Sequence, residues 1–265
     1  MKIGIVGCAG RMGQMLAREV LQTSGAQLAG GTERPGTDAI GRDIGEIVGF
    51  GKLGIPVSAS AAEMFHHVDA VIDFTVPPAS VEHAKIAASH NKVLIIGTTG
   101  MSEIQQRQVA EQAQHARIVM SPNFSLGVNV AMAVVEQVAG ILDDSYDIEI
   151  VEMHHRHKID APSGTALGLG RAAAKGRGVV LDEVACRARD GLVGARHRGE
   201  IGFATLRGGD VVGDHTVIFA ADGERFEITH KASSRQIFAK GAVKAALWCK
   251  GKKHGLYTMK DVLGL

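Results

Sequence analysis

The sequence predicts an α/β protein in which a doubly wound parallel sheet is combined with a second α+β domain containing a mixed or antiparallel sheet. Three observations carry this prediction. Up to Asn123, short continuous apolar runs alternate with amphipathic stretches, which is typical of a parallel sheet covered by helices on both faces. After Asn123, a long helical pattern is followed by a run of alternating apolar and polar residues. The later strand-like runs then follow one another without helices.

The first part of the chain supplies strand and helix patterns in alternation. Strands are predicted at residues 2–7, 26–33, 69–74, 92–100 and 116–123, and helices at residues 11–22, 79–90 and 102–114. The helix at residues 11–22 has its apolar side chains at helical spacing and follows the first strand directly. This order of elements predicts a Rossmann-like, doubly wound domain.

The second part has a different order of elements. A long helix is predicted at residues 125–142, strands at 146–155, 199–206, 210–220 and 224–230, and a last helix at 233–251. The apolar last helix can return to the first domain. We therefore expect one domain from residues 1–124 plus 234–265, and a second from residues 125–233.

Composition and charge exclude several classes of function. The 265 residues carry a formal net charge of +1, and no basic run suggests binding to nucleic acid or to a membrane surface. No segment is apolar for long enough to span a bilayer, and the N-terminal "MKIGIVG" enters a strand pattern without a secretory signal. The cysteines, Cys8, Cys186 and Cys249, are too widely spaced for a disulfide framework or a metal knuckle. We expect a cytoplasmic protein.

A glycine-rich turn between the first strand and the first helix is a candidate nucleotide site. In "GIVGCAGRMGQ", Gly7, Gly10 and Gly13 have the spacing G-x-x-G-x-x-G, a variant of the common dinucleotide fingerprint. Glycines there permit a tight turn and a close approach of a pyrophosphate to the amides at the helix start. A glycine-rich turn that binds no ligand remains the alternative.

Glu33 ends the second predicted strand, where an acid commonly accepts hydrogen bonds from the adenine ribose, and Arg34 follows it. The acid favours NAD, and the arginine can hold a 2′-phosphate, so together they suggest use of both cofactors. An ordinary surface arginine is the alternative for Arg34. "GTTG" and "SPNFS" end two further strands, where ligands of parallel sheets bind.

The segment "EMHHRHKIDAPSGTA" concentrates imidazole and cationic nitrogen immediately before a helix start. Three interpretations are open: a metal site formed by His154, His155 and His157, a solvated basic strand end, or a site for an anionic substrate. The sequence contains no HExxH or CxxC pattern. Free amides at the start of the helix "SGTALGLGRAAA" favour the binding of a carboxylate.

At this point the sequence resembles the 4-hydroxy-tetrahydrodipicolinate reductase (dihydrodipicolinate reductase) family of the bacterial diaminopimelate and lysine pathway. The resemblance covers nearly the whole chain. The motifs that carry it are "GCAGRMG", "ER", "DFT", "GTTG", "SPNFS", "E-x-HHRHKIDAPSGTA" and the C-terminal "GLYTMKDVLGL". The "HHRHK-x-D-x-PSGTA" string is the most specific of these.

The resemblance implies an oxidoreductase that reduces a cyclic dicarboxylate with NADH or NADPH, with loss of water, to tetrahydrodipicolinate. It also implies a homotetramer assembled through the sheet of the second domain. The first domain would then bind the dinucleotide, and the second would bind substrate and mediate oligomerisation. The lack of a metal-ligand pattern and of a basic run predicts no metal, no nucleic acid and no membrane partner.

The resemblance also implies the residues of the site. Catalysis would use His154 and Lys158, and the substrate would be bound by His155, Lys158, Gly164 and Thr165. The cofactor would be bound by Gly7, Cys8, Ala9, Gly10, Arg11, Met12, Glu33, Arg34, Gly97, Thr98, Thr99, Ser121, Pro122, Asn123 and Phe124. Histidine titrates near neutrality and suits general acid catalysis, and lysine brings a point charge to a carboxylate.

Two other functions stay open at the level of sequence. One is a different two-domain NAD(P)-dependent oxidoreductase, such as an aspartate dehydrogenase or an enzyme of sugar acids. The other is a regulator that senses NAD(P) without turnover, for which a DNA-binding motif would be expected and none is found.

Overall fold

A computed structural model describes all 265 residues of the chain. Its internal contacts divide it into two compact units. Unit 1 contains Met1–Ser125 and Gln236–Gly264, and unit 2 contains Leu126–Arg235 together with the terminal Leu265.

The chain forms eleven strands and ten helices. The strands are β1 (Lys2–Val6), β2 (Gln27–Thr32), β3 (Ala70–Asp73), β4 (Val93–Ile96), β5 (Arg117–Met120), β6 (Asp147–His154), β7 (Ala185–Cys186), β8 (Ile201–Arg207), β9 (Gly213–Ala221), β10 (Glu224–Ala232) and β11 (Gly255–Tyr257). The helices are α1 (Arg11–Gln22), α2 (Ile44–Val48), α3 (Ala61–His67), α4 (Pro77–Ser89), α5 (Glu103–Gln112), α6 (Leu126–Ile141), α7 (Gly164–Arg177), α8 (Leu181–Val184), α9 (Gln236–Trp248) and α10 (Met259–Leu263).

The sheet of unit 1 has six parallel strands in the order β11-β5-β4-β3-β1-β2. Every residue of β3 and β4 is buried, as expected for central strands covered on both faces. The sequence order of the strands reverses between β3 and β1, and this reversal is the topological switch point where doubly wound sheets bind ligands. The C-terminal ends of the strands therefore define one edge for a candidate site.

Helix α9 packs in unit 1 through small residues on one face. Helix α9 buries Ala239, Gly241, Ala242, Val243, Ala245 and Ala246. A β-carbon on Gly241 would collide with the backbone carbonyl of Phe124, so glycine is needed for this close approach. Strand β11 follows and pairs with β5, which adds a sixth strand to the sheet.

Unit 2 contains a five-stranded mixed sheet in the order β10-β9-β6-β8-β7. Strand β6 is central; it pairs parallel with β8 and antiparallel with β9. Residues of β6 alternate between buried and half-buried positions, because α6 and α7 cover one sheet face. The buried face packs Ile148, Ile150, Val217 and Phe219 against the two helices. This mixed sheet, together with the parallel sheet of unit 1, confirms the predicted fold class.

Several elements differ from their sequence patterns. Most predicted strands extend beyond the observed ones, because their final residues leave the sheet as loops. Helix α9, which corresponds to the last predicted helix, begins at Gln236 and ends at Trp248, and is therefore shorter than the pattern at residues 233–251. The short elements α2, α3, α8, α10, β7 and β11 were not predicted, since few residues carry their periodicity. No helix is both long enough and apolar enough to cross a membrane.

Candidate active site

The glycine-rich turn between β1 and α1 is shaped by backbone contacts that only glycine permits. Gly7 has a φ of +67°, a conformation that other residues rarely adopt, and its amide donates to the carbonyl of Thr32 at 2.8 Å. A β-carbon on Gly13 would collide with the carbonyl of Gly7 and the backbone of Cys8. Helix α1 therefore starts in direct contact with the turn, as the dinucleotide motif requires.

The start of α1 leaves backbone amides available to a ligand. Its N-cap residue, Gly10, has no side chain that could accept from these amides. The first turn of the helix contains no acidic side chain that would occupy the positive end of the helix. The predicted residues Gly7, Cys8, Ala9, Gly10, Arg11 and Met12 lie together in this turn and first helical residues. The arrangement suits a pyrophosphate.

Glu33 and Arg34 follow β2 at the same edge of the sheet. The amide of Ala9 donates to Oε1 of Glu33 at 2.9 Å, so the carboxylate is held against the glycine-rich turn. Arg34 is exposed. The structure thus brings Glu33 to the nucleotide turn and leaves the Arg34 side chain in solvent beside it.

A buried carboxylate organises the loops that follow β3 and β4. Asp73, at the end of β3, accepts from the Thr75 hydroxyl at 2.6 Å and from Nδ1 of His83 at 2.8 Å. Thr98 donates to Asp73 at 3.3 Å and accepts from the Ser80 hydroxyl at 2.8 Å. Burial would raise the pKa of Asp73, but the His83 contact and the hydroxyl hydrogen bonds outweigh it and lower the pKa. The predicted residue Thr98 is therefore fixed by a buried network.

The other predicted cofactor residues lie after β4 and β5. Gly97 permits close contact with the Phe74 ring, which a β-carbon would prevent, and Thr99 follows Thr98 in the same loop. The segment from Ser121 to Phe124 is tied by a hydrogen bond from the Ser121 hydroxyl to the Asn123 carbonyl at 2.9 Å. It includes Pro122 and ends at the buried Phe124. The ring centroid of Phe124 lies 5.5 Å from that of Phe74.

In unit 2, His154 is joined to a buried carboxylate. His154 ends β6, and its Nδ1 lies 2.5 Å from Oε2 of Glu152. Arg207 forms a bidentate pair with the same carboxylate at 2.8 and 2.9 Å. Burial would raise the pKa of Glu152, but the hydrogen bonds from Arg207, His154 and the Ser163 amide outweigh it and lower the pKa. Glu152 is therefore an ionised acceptor.

His154 itself is nearly buried. Its side chain is 9% exposed, and its ring lies edge-on to His215 with 5.0 Å between centroids. A β-carbon on Gly213 would come within 2.9 Å of Nε2 of His154, so glycine in β9 makes room for the imidazole. Burial lowers the pKa of His154, and the neighbouring Glu152 opposes that shift.

His215 supports the same cluster from β9. Its Nε2 lies 3.0 Å from the hydroxyl of Ser163, and its Nδ1 is buried without a hydrogen-bond partner. Burial lowers the pKa of His215 to about 4, so this imidazole is neutral near pH 7.

The remaining residues of the "HHRHK" segment lie in the loop after β6. Lys158 Nζ donates to Oδ1 of Asp160 at 2.7 Å. His155 is half-buried, and its Nε2 lies 3.4 Å from a guanidinium nitrogen of Arg235. Arg156 and His157 are exposed.

Helix α7 begins directly after this loop. The Ser163 hydroxyl caps the helix by accepting from the Ala166 amide at 3.1 Å, which leaves Gly164 and Thr165 at the first helical positions. Gly164 is exposed and Thr165 is half-buried. The structure therefore places the helix start in one loop–helix segment with Lys158, as the sequence suggests for a carboxylate site.

The histidines of this region do not form a metal centre in the structure. No group of three or more His, Cys, Asp or Glu side chains is arranged to hold a metal ion. His154 instead directs Nδ1 to a carboxylate that is also engaged by an arginine.

Sequence reasoning assigned no task to several of these side chains. Glu152, Arg207 and His215 complete the His154 cluster, Arg235 lies beside His155, and Asp73 with His83 supports Thr98. One signal was present for Glu152, because a charged residue at a buried position of an alternating strand requires a partner. Asp73 belongs to the "DFT" motif at the end of a predicted strand, whereas Arg207, His215, Arg235 and His83 carry no local signal.

Unit 1 has the sheet edge of a Rossmann-type dinucleotide domain. Unit 2 has a histidine–carboxylate cluster, with a lysine and a helix start in the following segment. Together these features are typical of an oxidoreductase that acts on an anionic substrate. Family models described as "Dihydrodipicolinate reductase, N-terminus" and "Dihydrodipicolinate reductase, C-terminus" match residues 1–124 and 127–263. The chain belongs to the dihydrodipicolinate reductase family. That membership confirms the predicted family, the oxidoreductase class and the reductive step of diaminopimelate and lysine biosynthesis with NADH or NADPH.

Individual relatives agree with this assignment. The chain is 55% identical to the 4-hydroxy-tetrahydrodipicolinate reductase of Ruegeria pomeroyi, over 99% of this chain and 98% of that protein. It is 54% identical to the enzyme of the same name from Allorhizobium ampelinum, over 100% of this chain and 98% of that protein. Among solved structures, the dipicolinate-bound dihydrodipicolinate reductase of Paenisporosarcina sp. TG-14 has the same fold, with a TM-score of 0.76 and 24% identity over 97% of each chain.

Proposed function

We propose that, in reducing 4-hydroxy-tetrahydrodipicolinate to tetrahydrodipicolinate, this chain holds NADH or NADPH on unit 1 and the cyclic dicarboxylate on unit 2. The observation that carries the proposal is the cluster of His154 with Glu152, which a short loop containing Lys158 connects to the start of α7. Such a cluster offers a titratable imidazole, a cation and the positive end of a helix to a dianionic substrate.

The residues of unit 1 fit a dinucleotide. The turn from Gly7 to Met12 would bind the pyrophosphate at the uncapped start of α1. Glu33 and Arg34 would contact the adenine ribose. Gly97 to Thr99 and Ser121 to Phe124 end neighbouring strands and would line the nicotinamide end. When bound, the nicotinamide supplies the hydride.

The residues of unit 2 would bind the substrate and move a proton. Lys158, Gly164 and Thr165 would hold carboxylate oxygens by charge and by helix-start amides, and His155 would orient the ring. His154 would deliver a proton from Nε2, because its Nδ1 is occupied by Glu152. Lys158 would assist His154 by stabilising negative charge near the reacting ring.

We also propose a homotetramer assembled through the second sheet, in the cytoplasm. One face of that sheet is covered by α6 and α7, and the other carries Val151, Met153, Leu206 and Ile218 without a covering helix. Leu206 is 49% exposed, which favours burial against other copies. Leu206→Glu should reduce the mass measured by light scattering, whereas the control Phe226→Ser should not, because Phe226 pairs with Phe219 on the opposite face of the sheet.

The decisive experiment is a coupled assay that generates the substrate from pyruvate and aspartate semialdehyde. The purified chain should oxidise NADH and NADPH only when both precursors and the condensing enzyme are present. A matched reaction with Gly13→Ala, whose β-carbon would disrupt the nucleotide turn, should show no oxidation. Absence of NAD(P)H oxidation by the wild-type chain would refute the proposal.

A further inference from the structure

We infer that Glu152 is a positioning residue that fixes the tautomer of His154 and joins this imidazole to the start of α7. The inference rests on the proposed function, because it assigns the proton of the reaction to one atom, Nε2 of His154.

The hydrogen bonds of Glu152 determine which nitrogen of His154 carries a proton. Its Oε2 accepts hydrogen bonds from His154 Nδ1 at 2.5 Å and from Arg207 Nη1 at 2.8 Å. Its Oε1 accepts hydrogen bonds from the Ser163 amide at 3.0 Å and from Arg207 Nη2 at 2.9 Å. An ionised carboxylate can only accept, so Nδ1 of His154 must donate. Nε2 is therefore the nitrogen that gains and loses the reactive proton.

Burial makes this arrangement rigid. Glu152 is 1% exposed, and an ionised carboxylate at such a position is stable only with its full set of donors. A buried ion pair is often no more stabilising than a well-packed apolar pair. Stability alone therefore does not explain why a carboxylate occupies this position, whereas control of a histidine does.

The same carboxylate also holds the beginning of α7. Ser163, whose amide donates to Glu152, is the N-cap residue of that helix. The hydroxyl of Ser163 contacts Nε2 of His215, and the His215 ring packs against His154. One buried side chain thus fixes both the proposed proton donor and the helix start proposed to bind a substrate carboxylate.

Four charged or titratable groups face His154 from the surrounding elements. They are Glu152 on the same strand, Lys158 in the following loop, Arg207 at the end of β8 and His215 on β9. Lys158 and Arg207 lower the pKa of His154, and Glu152 is the acid that opposes them. Without its charge, the imidazolium of His154 becomes harder to form.

The test substitutes Glu152→Gln, which keeps the size of the side chain but removes its charge. A glutamine that still accepts from the Ser163 amide would direct its NH₂ group to His154 and lose the hydrogen bond from Nη1 of Arg207. The tautomer of His154 then reverses, so that Nδ1 accepts. We expect kcat to fall by about 10²-fold while the Kd of NADH stays within twofold of wild type. The limb of the kcat/KM profile that requires protonated His154 should move to lower pH by at least about one unit.

The matched control is Glu149→Gln. Glu149 lies on the same strand and is paired with Arg189 and Arg196, but it makes no hydrogen bond to His154. This variant loses an ion-paired carboxylate from the same strand, so it reports a purely structural effect. Its kcat and pH profile should match wild type.

Long-range ¹H–¹⁵N spectra of the histidine rings provide a readout that needs no substrate. Wild-type His154, assigned through a His154→Gln variant, should show a proton on Nδ1 at high pH, and Glu152→Gln should show it on Nε2. A wild-type Nε2–H tautomer would overturn the inference, even if Glu152→Gln fails to fold. An unchanged pH profile in a folded Glu152→Gln enzyme would overturn it as well. Wild-type enzyme without turnover would refute the proposed function, while the spectra would still decide the tautomer.

Discussion

The ammonium group of Lys158 lies 2.7 Å from the carboxylate of Asp160, two residues further along the loop that precedes α7. The hydrogen bond from Lys158 lowers the pKa of Asp160, so this carboxylate is ionised near neutral pH. The Asp160 side chain is 55% exposed, and the pair is therefore weak enough for another carboxylate to replace it. Because we propose that Lys158 holds a substrate carboxylate, we expect the substrate to replace Asp160 as the partner of this ammonium group.

This exchange predicts opposite effects for the two partners. Lys158→Ala should weaken substrate binding about tenfold or more, because a charge-assisted contact is worth roughly 1.5–3 kcal/mol, and kcat should also fall. Asp160→Asn should leave KM unchanged or lower it, since the competing carboxylate is removed. Steady-state kinetics of both variants checks this. A higher KM in Asp160→Asn would mean that the loop needs the ion pair for its conformation.

His154→Ala should depress kcat by roughly 10²-fold or more, while the Kd of NADH measured by fluorescence stays near wild type. The physical reason is the loss of the Nε2 proton donor without a change in unit 1. Incubation with EDTA should leave wild-type activity intact, since carboxylate binding is assigned to cations and amides. Full kcat in the variant, or activity abolished by EDTA and restored by zinc, would contradict the assignment.

Arg34→Ala should raise the KM for NADPH more than the KM for NADH, because only NADPH carries the 2′-phosphate that a guanidinium can bind. The control is Arg107→Ala, an exposed arginine of α5 that forms a surface pair with Glu103. The control should leave both KM values unchanged. Equal changes for the two cofactors in Arg34→Ala would show that Arg34 does not contact the phosphate.

His215 should make the stability of the chain depend on pH. Its pKa falls from 6.5 to about 4 on folding. At pH values between these two, the unfolded chain therefore binds a proton at His215 that the folded chain does not bind. This contribution to stability is fully present above pH 6.5, and it is lost as the pH decreases toward the folded value. Between pH 7 and pH 5 the loss should be roughly 2 kcal/mol.

The measurement is urea unfolding of wild type and His215→Asn at both pH values, with circular dichroism as the probe. Asparagine can still contact the Ser163 hydroxyl but does not titrate, so the variant should lose less stability between pH 7 and pH 5. His115→Asn, at an exposed position in unit 1, is the control and should behave like wild type. Identical pH dependence in all three chains would exclude His215 as the source.

The elements that sequence predicted best are those with strong periodicity. Helix α1 has the same limits in the sequence pattern and in the structure, because its apolar spacing is regular and Gly10 and Thr23 flank it. The strands β1 to β5 were recognised by their apolar runs, but their ends were extended into loops such as the one after Ile96. That loop consists of Gly97, Thr98, Thr99 and Gly100, and an apolar run that continues into small residues does not show where the strand ends.

The candidate site was predictable where its residues are consecutive. The turn from Gly7 to Met12 and the "HHRHK" segment are local, and their residue types indicate an anion site. Arg207 reaches Glu152 from 55 positions away, and His215 reaches Ser163 from 52 positions away. Such pairs depend on the register of β8 and β9 beside β6, which no local pattern specifies.

The return of the chain through α9 and β11 has a consequence for synthesis at the ribosome. Strand β5 is made early, yet its outer edge is paired only by β11, near the end of the chain. While unit 2 is being translated, the nascent first unit therefore exposes an unsatisfied strand edge and the surface that α9 later covers. Such an edge recruits other extended segments. The nascent chain should consequently depend on chaperones until β11 has been made, and premature termination after Arg235 should yield aggregates rather than a separately folded nucleotide-binding unit.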